Sequence, residues 1–292
     1  MSLLRLCERP FWFPASGFMD AGQDLTPRSE MIPKKNSFVA LGSRLKGVPE
    51  VLTLGVKPNF LEYTLKEREL IFGAGIILFP TLNYAQFLTT LGKRIFPSLE
   101  TYLYADEKIK QTTLFQMLGI SHPRTKIYYH LHHQDILKDF TFPFVAKIPR
   151  CSARGRGVFK IDNRKELEDY LSLVKVAYIQ EYLPHKRDLR VVLINYEPAL
   201  SYWRISSPAD FRTNLSQGGK ISFDDIPWQG VETAQDTARK CKLNDVGIDL
   251  INFQSRWYVI EANMKYGRKG LTMRGLDLKE ILRGKLLSGE VF

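Results

Sequence analysis

The segment Gly247-Ile248-Asp249-Leu250-Ile251-Asn252-Phe253-Gln254-Ser255-Arg256-Trp257-Tyr258-Val259-Ile260-Glu261-Ala262-Asn263 decides how this chain is read. Two apolar runs, Val246 to Phe253 and Trp257 to Asn263, flank a short polar connection and predict a pair of antiparallel strands. An odd-numbered connection such as Gln254-Ser255-Arg256 would set Asp249 directly opposite Glu261. Strand alternation then puts Asn263 on the same face as Glu261. Two carboxylates among apolar neighbours are costly to bury unless a cation neutralises them. Three hard oxygen donors in this pattern suit Mg2+, completed by a substrate phosphate. An amphipathic hairpin with one solvated acidic face has the same pattern, so both readings stand at this point.

Working outward, two further segments carry chemistry. Ser152-Ala153-Arg154-Gly155-Arg156-Gly157 lies between two predicted strands, Phe142 to Ile148 and Gly157 to Ile161. Its glycines would let the backbone approach an anion closely, as main-chain amides do around phosphate. It lacks the Gly-Lys-Ser/Thr ending of a P-loop and is followed by a strand, so neither common nucleotide fingerprint fits. A plain hairpin with two glycines is the alternative. Glu181-Tyr182 ends a predicted strand, Ala177 to Leu183, and Asp188-Leu189-Arg190 opens the next, Leu189 to Ile194. Charges at the edge of a sheet would look the same.

The remaining elements follow from periodicity and caps. Helices are expected from Asp106 to Leu118, stopped by Gly119, and from an Asp162 or Asn163 cap to about Val174. Two more are expected at Glu232 to Cys241 and Asp277 to Leu286. Val51 to Val56 reads as a strand, the apolar run Leu70 to Phe79 as a buried strand, and Tyr84 to Leu91 as a helix capped by Asn83. A further strand, Ala199 to Ile205, follows an Asn195–Pro198 turn, and the first forty residues read as loop. Antiparallel groups of strands with helices between them favour an α+β fold over a strictly alternating nucleotide-binding sheet.

Composition narrows the partner. The 292 residues are 44% hydrophobic and 25% charged, which excludes a disordered, collagenous or disulfide-scaffold chain. Lys and Arg number 42 against 31 Asp and Glu, a formal +11, so an acidic partner is expected: nucleic acid, anionic membrane or a polyphosphate. No apolar run approaches the ~20 residues of a membrane span. Cys7, Cys151 and Cys241 lie far apart, which excludes a zinc ribbon and fits a cytoplasmic protein. His130, His132 and His133 lack the spacing of a helical metal pair and read as a surface or strand-end cluster.

From about Pro123 onward, the order and spacing of these segments resemble the ATP-grasp enzymes, most closely the RimK-like amino-acid ligases. The resemblance runs through Pro143-Phe-Val-Ala-Lys147, the glycine loop, Gln180-Glu181-Tyr182, Asp188-Leu-Arg190, Asp210-Phe-Arg212-Thr-Asn214, Gly247-Ile-Asp249 and Glu261-Ala-Asn263. Glu107-Lys108 through Ile120 looks like the family's entry segment. The resemblance implies an ATP-grasp domain at 105–292, split into a central subdomain (105–180) bearing the lid loop and a C-terminal subdomain (181–292) with the metal site. A small α/β domain would precede it at 1–104.

The same resemblance implies roles. Adenine would bond the main chain of Glu181 and Tyr182, and Asp188 would take the ribose. Lys147 and Lys108 would reach the phosphates under a lid that includes Ser152, Gly155 and Gly157. Asp249, Glu261 and Asn263 would hold two Mg2+ ions, with Mn2+ an alternative. Arg190, Arg204, Arg212 and Asn214 would face the transferring phosphoryl group. The implied reaction is ADP-forming carboxylate–amine ligation through an acyl phosphate, with an amino acid, peptide or protein as partner. One departure matters: where close relatives carry Ser-Pro-Gly after the metal strand, this chain reads Met264-Lys265-Tyr266-Gly267-Arg268-Lys269. Those cations could bind an acidic acceptor or form a solvated turn. A kinase-like phosphotransferase and a basic nucleic-acid-binding module are the alternatives, and a homo-oligomer is left open.

Overall fold

The structure, a computed structural model, describes residues 38–149, 157–207, 213 and 219–290. All of these belong to one unit, Pro33–Phe292. The expectation for the first forty residues falls almost wholly outside the described residues. So do the predicted site residues Ser152, Gly155, Arg212 and Asn214.

The chain first builds a parallel sheet from β1 (Phe38–Ala40), β2 (Val51–Thr53), β3 (Ile77–Leu78) and β4 (Ile95–Phe96) in the order β2-β1-β3-β4. Between the strands run α1 (Leu65–Gly73) and α2 (Leu82–Thr90), and α3 (Leu99–Tyr104) leads away. The buried strand expected over Leu70 to Phe79 is corrected here: its first half is the end of α1. Thr64 and Glu67 form a reciprocal capping box that starts this helix, with Glu67 N–H donating to Thr64 Oγ1 and Thr64 N–H to the Glu67 carboxylate. Only Ile77 and Leu78 remain as strand. α2 likewise starts two residues early, at Leu82, with Thr81 as its N-cap in place of Asn83.

A second, antiparallel sheet follows α4 (Lys108–Met117). Its strands are β5 (Thr125–Tyr129), β6 (Phe144–Lys147), β7 (Val158–Ile161) and β8 (Val176–Glu181), in the order β5-β8-β6-β7. The helices α5 (Ile136–Asp139) and α6 (Arg164–Ser172) accompany it, and Asn163 caps α6 by accepting from Glu166 N–H. Phe144, Ala146, Ile161, Leu167, Tyr170 and Ile179 form its core.

The third sheet is antiparallel, in the order β11-β10-β9-β12-β13. It comprises β9 (Arg187–Ile194), β10 (Glu197–Ile205), β11 (Lys220–Ser222), β12 (Asp245–Phe253) and β13 (Arg256–Asn263). The helix α7 (Trp228–Cys241) lies before β12, and α8 (Lys269–Met273) and α9 (Leu278–Leu287) close the chain. Leu189, Val191 and Leu193 face α7, through Val231, Ala234 and Ala238. Val192 and Ile194 point the other way, into a core shared with α9 and the first parallel sheet. Period-2 alternation thus gives β9 two buried faces. Each such side chain contributes on the order of 1.5–3 kcal/mol. Gly230 lets α7 approach closely, since a Cβ there would lie 2.6 Å from Leu189.

Candidate active site

One row of charge crosses the third sheet. Arg190 on β9, Asp249 on β12 and Glu261 on β13 are successive register partners. Arg190 grips Asp249 with two bonds, Nε to Oδ1 and Nη2 to Oδ2, each 2.6 Å. Its Nη1 donates to the Tyr266 carbonyl at 2.9 Å. Two residues earlier on β9, Asp188 accepts from Arg204 on β10, Nε to Oδ1 at 2.7 Å and Nη2 to Oδ2 at 2.5 Å. Thr213 Oγ1 donates to the same Oδ2. Arg204 also reaches Asp249 at 2.9 Å, joining the two pairs. Planar guanidinium forks suit such bidentate pairing, which makes a buried carboxylate tolerable.

The electrostatics follow from this packing. Burial alone would push the Asp249 carboxyl up, but Arg190 and Arg204 together hold it below the usual carboxylate range. Burial opposes the charge on Arg204 as well, yet Asp188 and Asp249 raise its pKa above the ordinary arginine value.

The opposite wall comes from the second sheet and α4. Lys147 ends β6, is 6% exposed, and lies 5.6 Å over the Tyr178 ring. Burial pushes its pKa down to about 8, with Glu261 opposing and Lys108 adding to the fall. Lys108 Nζ, at the start of α4, stands 3.3 Å from Glu261 Oε1. The Tyr178 hydroxyl is fixed by Thr112 at 2.7 Å.

Between these walls lies a cavity whose lining includes Lys108, Lys147, Glu181, Asp188, Asp249 and Glu261. Tyr182 and Arg204 line it too. The structure therefore brings together most of the predicted site residues that it describes. Three stand differently. Arg190 is behind Asp249 and outside the lining. Gly157 closes the β6–β7 pair with φ +80°, its carbonyl accepting from Ile148 N–H. Asn263 is also outside the lining, its Nδ2 3.3 Å from Asp249 Oδ2. At the hinge, Glu181 N–H is committed to the Arg124 carbonyl, and its Oε1 accepts from Arg124 N–H.

Asp249 does lie opposite Glu261, but not through an odd-numbered connection. Gln254 and Ser255, both at positive φ (50° and 63°), make a two-residue turn, so Phe253 pairs with Arg256 and Leu250 with Val259. That register alone would place Asp249 opposite Ile260. A bulge between Asp249 and Leu250 shifts it by one, and Ile260 and Glu261 both line the cavity as a result.

Sequence reading missed several contributors. Thr213, within the Asp210–Asn214 segment, donates to Asp188 and lines the cavity, a role the resemblance does not imply. His185 lines the cavity from the connection between β8 and β9. Tyr266 is 3% exposed, its hydroxyl donating to Asp245 at 2.9 Å. Arg44 pairs with that same Asp245 at 2.5 Å. The altered turn after the metal strand is therefore anchored by Tyr266, while Lys265, Arg268 and Lys269 are exposed. The three histidines follow β5 in a short 3-10 helix, as a strand-end cluster should.

The donor chemistry suits a divalent cation, with Asp249 contributing through Oδ1, since Arg190 and Arg204 both occupy its Oδ2. Asp249 and Glu261 are cross-strand partners, and rotating the Asn263 amide would turn its oxygen toward them. Among the described residues no three His, Cys, Asp or Glu side chains gather as a metal site. Two carboxylates and an amide are what Mg2+ takes when phosphate oxygens complete its shell.

Comparison with known proteins identifies the family. Residues 105–284 match the RimK-like ATP-grasp domain. A coenzyme gamma-F420-2:alpha-L-glutamate ligase of Methanococcus maripaludis is 28% identical over 194 residues, 62% of this chain and 66% of that protein. The chain thus spans just under two thirds of that relative's length. The ribosomal protein bS6–L-glutamate ligase of Escherichia coli is 27% identical over 215 residues, 70% of this chain and 71% of that protein. Among solved structures, the ATP-grasp ligase PsnB with minimal precursor, Mg and ADP superposes with a TM-score of 0.62. It is 16% identical and covers 88% of this chain and 98% of that one. The chain belongs to the RimK-like ATP-grasp family.

Proposed function

We propose that this chain activates a carboxylate as an acyl phosphate and passes the acyl group to an amine of an amino acid, peptide or protein. The observation that carries this is the convergence of Lys108, Lys147, Asp188, Arg204, Asp249 and Glu261 on one cavity. In this reading Glu181 and Tyr182 hold adenine, Asp188 the ribose, and Lys147 and Lys108 the phosphates. Asp249, Glu261 and Asn263 hold Mg2+, two ions being the expected number. Bound there, Mg2+ would offset phosphate charge.

A carboxylate oxygen attacks the γ-phosphorus, the bond to the bridging oxygen breaks, and ADP leaves. Arg204, on the cavity wall, stabilises charge spread over the transferring oxygens. Arg190 holds Asp249 in place. The amine then attacks the acyl carbon and loses a proton, and phosphate departs with the former carboxylate oxygen. Exposed Lys265, Arg268 and Lys269 beside the metal strand favour an acidic partner. The test is a screen of amino acids and acidic peptides for Mg2+-dependent phosphate release, with mass analysis of products. Amide formation with stoichiometric ADP is expected; a phosphorylated product with no amine requirement refutes ligation.

A further inference from the structure

We propose that His185 is a ribose-binding residue, its Nε2 accepting a hydrogen bond from one of the two ribose hydroxyls of the bound nucleotide. The inference rests on the ATP-binding reading of the cavity and assigns a residue outside the set named for it.

The reason lies in the hydrogen-bond capacity of Asp188. A carboxylate offers about four acceptor sites. Arg204 takes one on each oxygen of Asp188, and Thr213 takes the second on Oδ2. One site, on Oδ1, is left, whereas a ribose brings two hydroxyl donors. The second hydroxyl needs another acceptor on the same wall. Glu181, the other carboxylate on this wall, is tethered at Oε1 by Arg124 N–H, and its free oxygen is the competing acceptor.

His185 meets the requirement. It lines the same cavity, three residues before Asp188. Its Nδ1 is 2.7 Å from the Leu183 carbonyl. A carbonyl oxygen only accepts, so Nδ1 carries the proton, and in the neutral ring Nε2 is then an acceptor. Among the described residues no group bonds Nε2, and it is not among the buried polar atoms left without partners. The ring is therefore pre-set, with a free, solvent-accessible acceptor on a residue that lines the cavity. Pro184 and the buried Leu183 fix the backbone that holds it.

The experiment measures binding of ATP, 2′-deoxy-ATP and 3′-deoxy-ATP to the full chain by calorimetry, for the wild type and for His185→Ala. The wild type should bind both deoxy analogues more weakly than ATP, the one that lacks the hydroxyl facing His185 by about tenfold, the worth of one hydrogen bond. His185→Ala should bind ATP about tenfold more weakly and no longer distinguish it from that analogue. A merely loosened connection would weaken all three nucleotides alike and keep the discrimination, and that result overturns the assignment. Equal binding of all three by the wild type overturns it too. If the wild type binds no nucleotide at all, the ATP-binding reading itself fails.

Discussion

Replacing Arg204 with Met tests the electrostatic frame of the site. Arg204 is 5% exposed and binds both Asp188 and Asp249. Its loss leaves two buried carboxylates with Arg190 as the remaining guanidinium, and that one is committed to Asp249. Removing one partner of a buried ion pair costs about 3–5 kcal/mol, chiefly through the stranded charge. For a folded unit of this size each kcal/mol lowers the melting temperature by about 2–4 °C, so a fall of about 6–20 °C is expected. Melting followed by circular dichroism without nucleotide reads it directly.

Two controls separate charge from lost packing. Adding Asp188→Asn to Arg204→Met removes one stranded charge and should recover about half of the loss. The pH dependence has a definite sign. In the wild type the Asp249 carboxyl lies below its ordinary value, so its stabilisation is complete above the ordinary carboxylate range and is lost as pH falls through the folded value. The variant removes one of the two groups holding it down. Its deficit should therefore be widest at neutral pH and narrow below about pH 4. A single variant melting within about 2 °C of the wild type, or a double variant no better than the single, refutes the reasoning.

Three further outcomes are expected. Nucleotide phosphates should draw a proton onto Lys147, whose pKa is about 8; calorimetry at pH 8 in two buffers should show proton uptake in the wild type and none in Lys147→Met. Between about pH 8 and the ordinary lysine value near 10.4, the unfolded chain holds the proton that the folded one has lost, so Lys147 makes stability rise with pH there. Gly247→Ala would place a Cβ 2.4 Å from Tyr266 Cβ and should cost about 1–3 kcal/mol in urea unfolding; an unchanged midpoint would show that the turn gives way freely. Asp249→Asn with Glu261→Gln should abolish Mg2+-dependent ADP formation; because Arg190 and Lys108 lose their carboxylate partners, a melting curve accompanies the assay to show a folded variant, and retained activity would move the metal elsewhere.

Much of the third sheet was legible because its central strands are near-continuous apolar runs, buried over most of their length. Leu189, Val191 and Leu193 mark one face, and the carboxylates sit among apolar neighbours. What failed was local. The run Leu70 to Phe79 has strand-like composition, but the Thr64–Glu67 capping box outside it starts a helix that consumes half of it. The Asp249–Glu261 pairing was foreseen through the wrong connection, since a bulge leaves little trace in composition. Pairings across the sheet were also hidden. That Arg190 and Arg204 converge on Asp249 depends on strand order, which spacing along the chain does not encode. The Arg44–Asp245–Tyr266 anchor joins residues about 200 positions apart in sequence and was invisible for the same reason.

The central claim is that a carboxylate oxygen attacks the γ-phosphate of ATP. Heavy-oxygen-labelled carboxylate substrates from the product screen test it most directly, by mass analysis of the released phosphate. Carboxylate activation predicts one labelled oxygen in each inorganic phosphate formed with the amide. Unlabelled phosphate, with the label retained in the product, would contradict it.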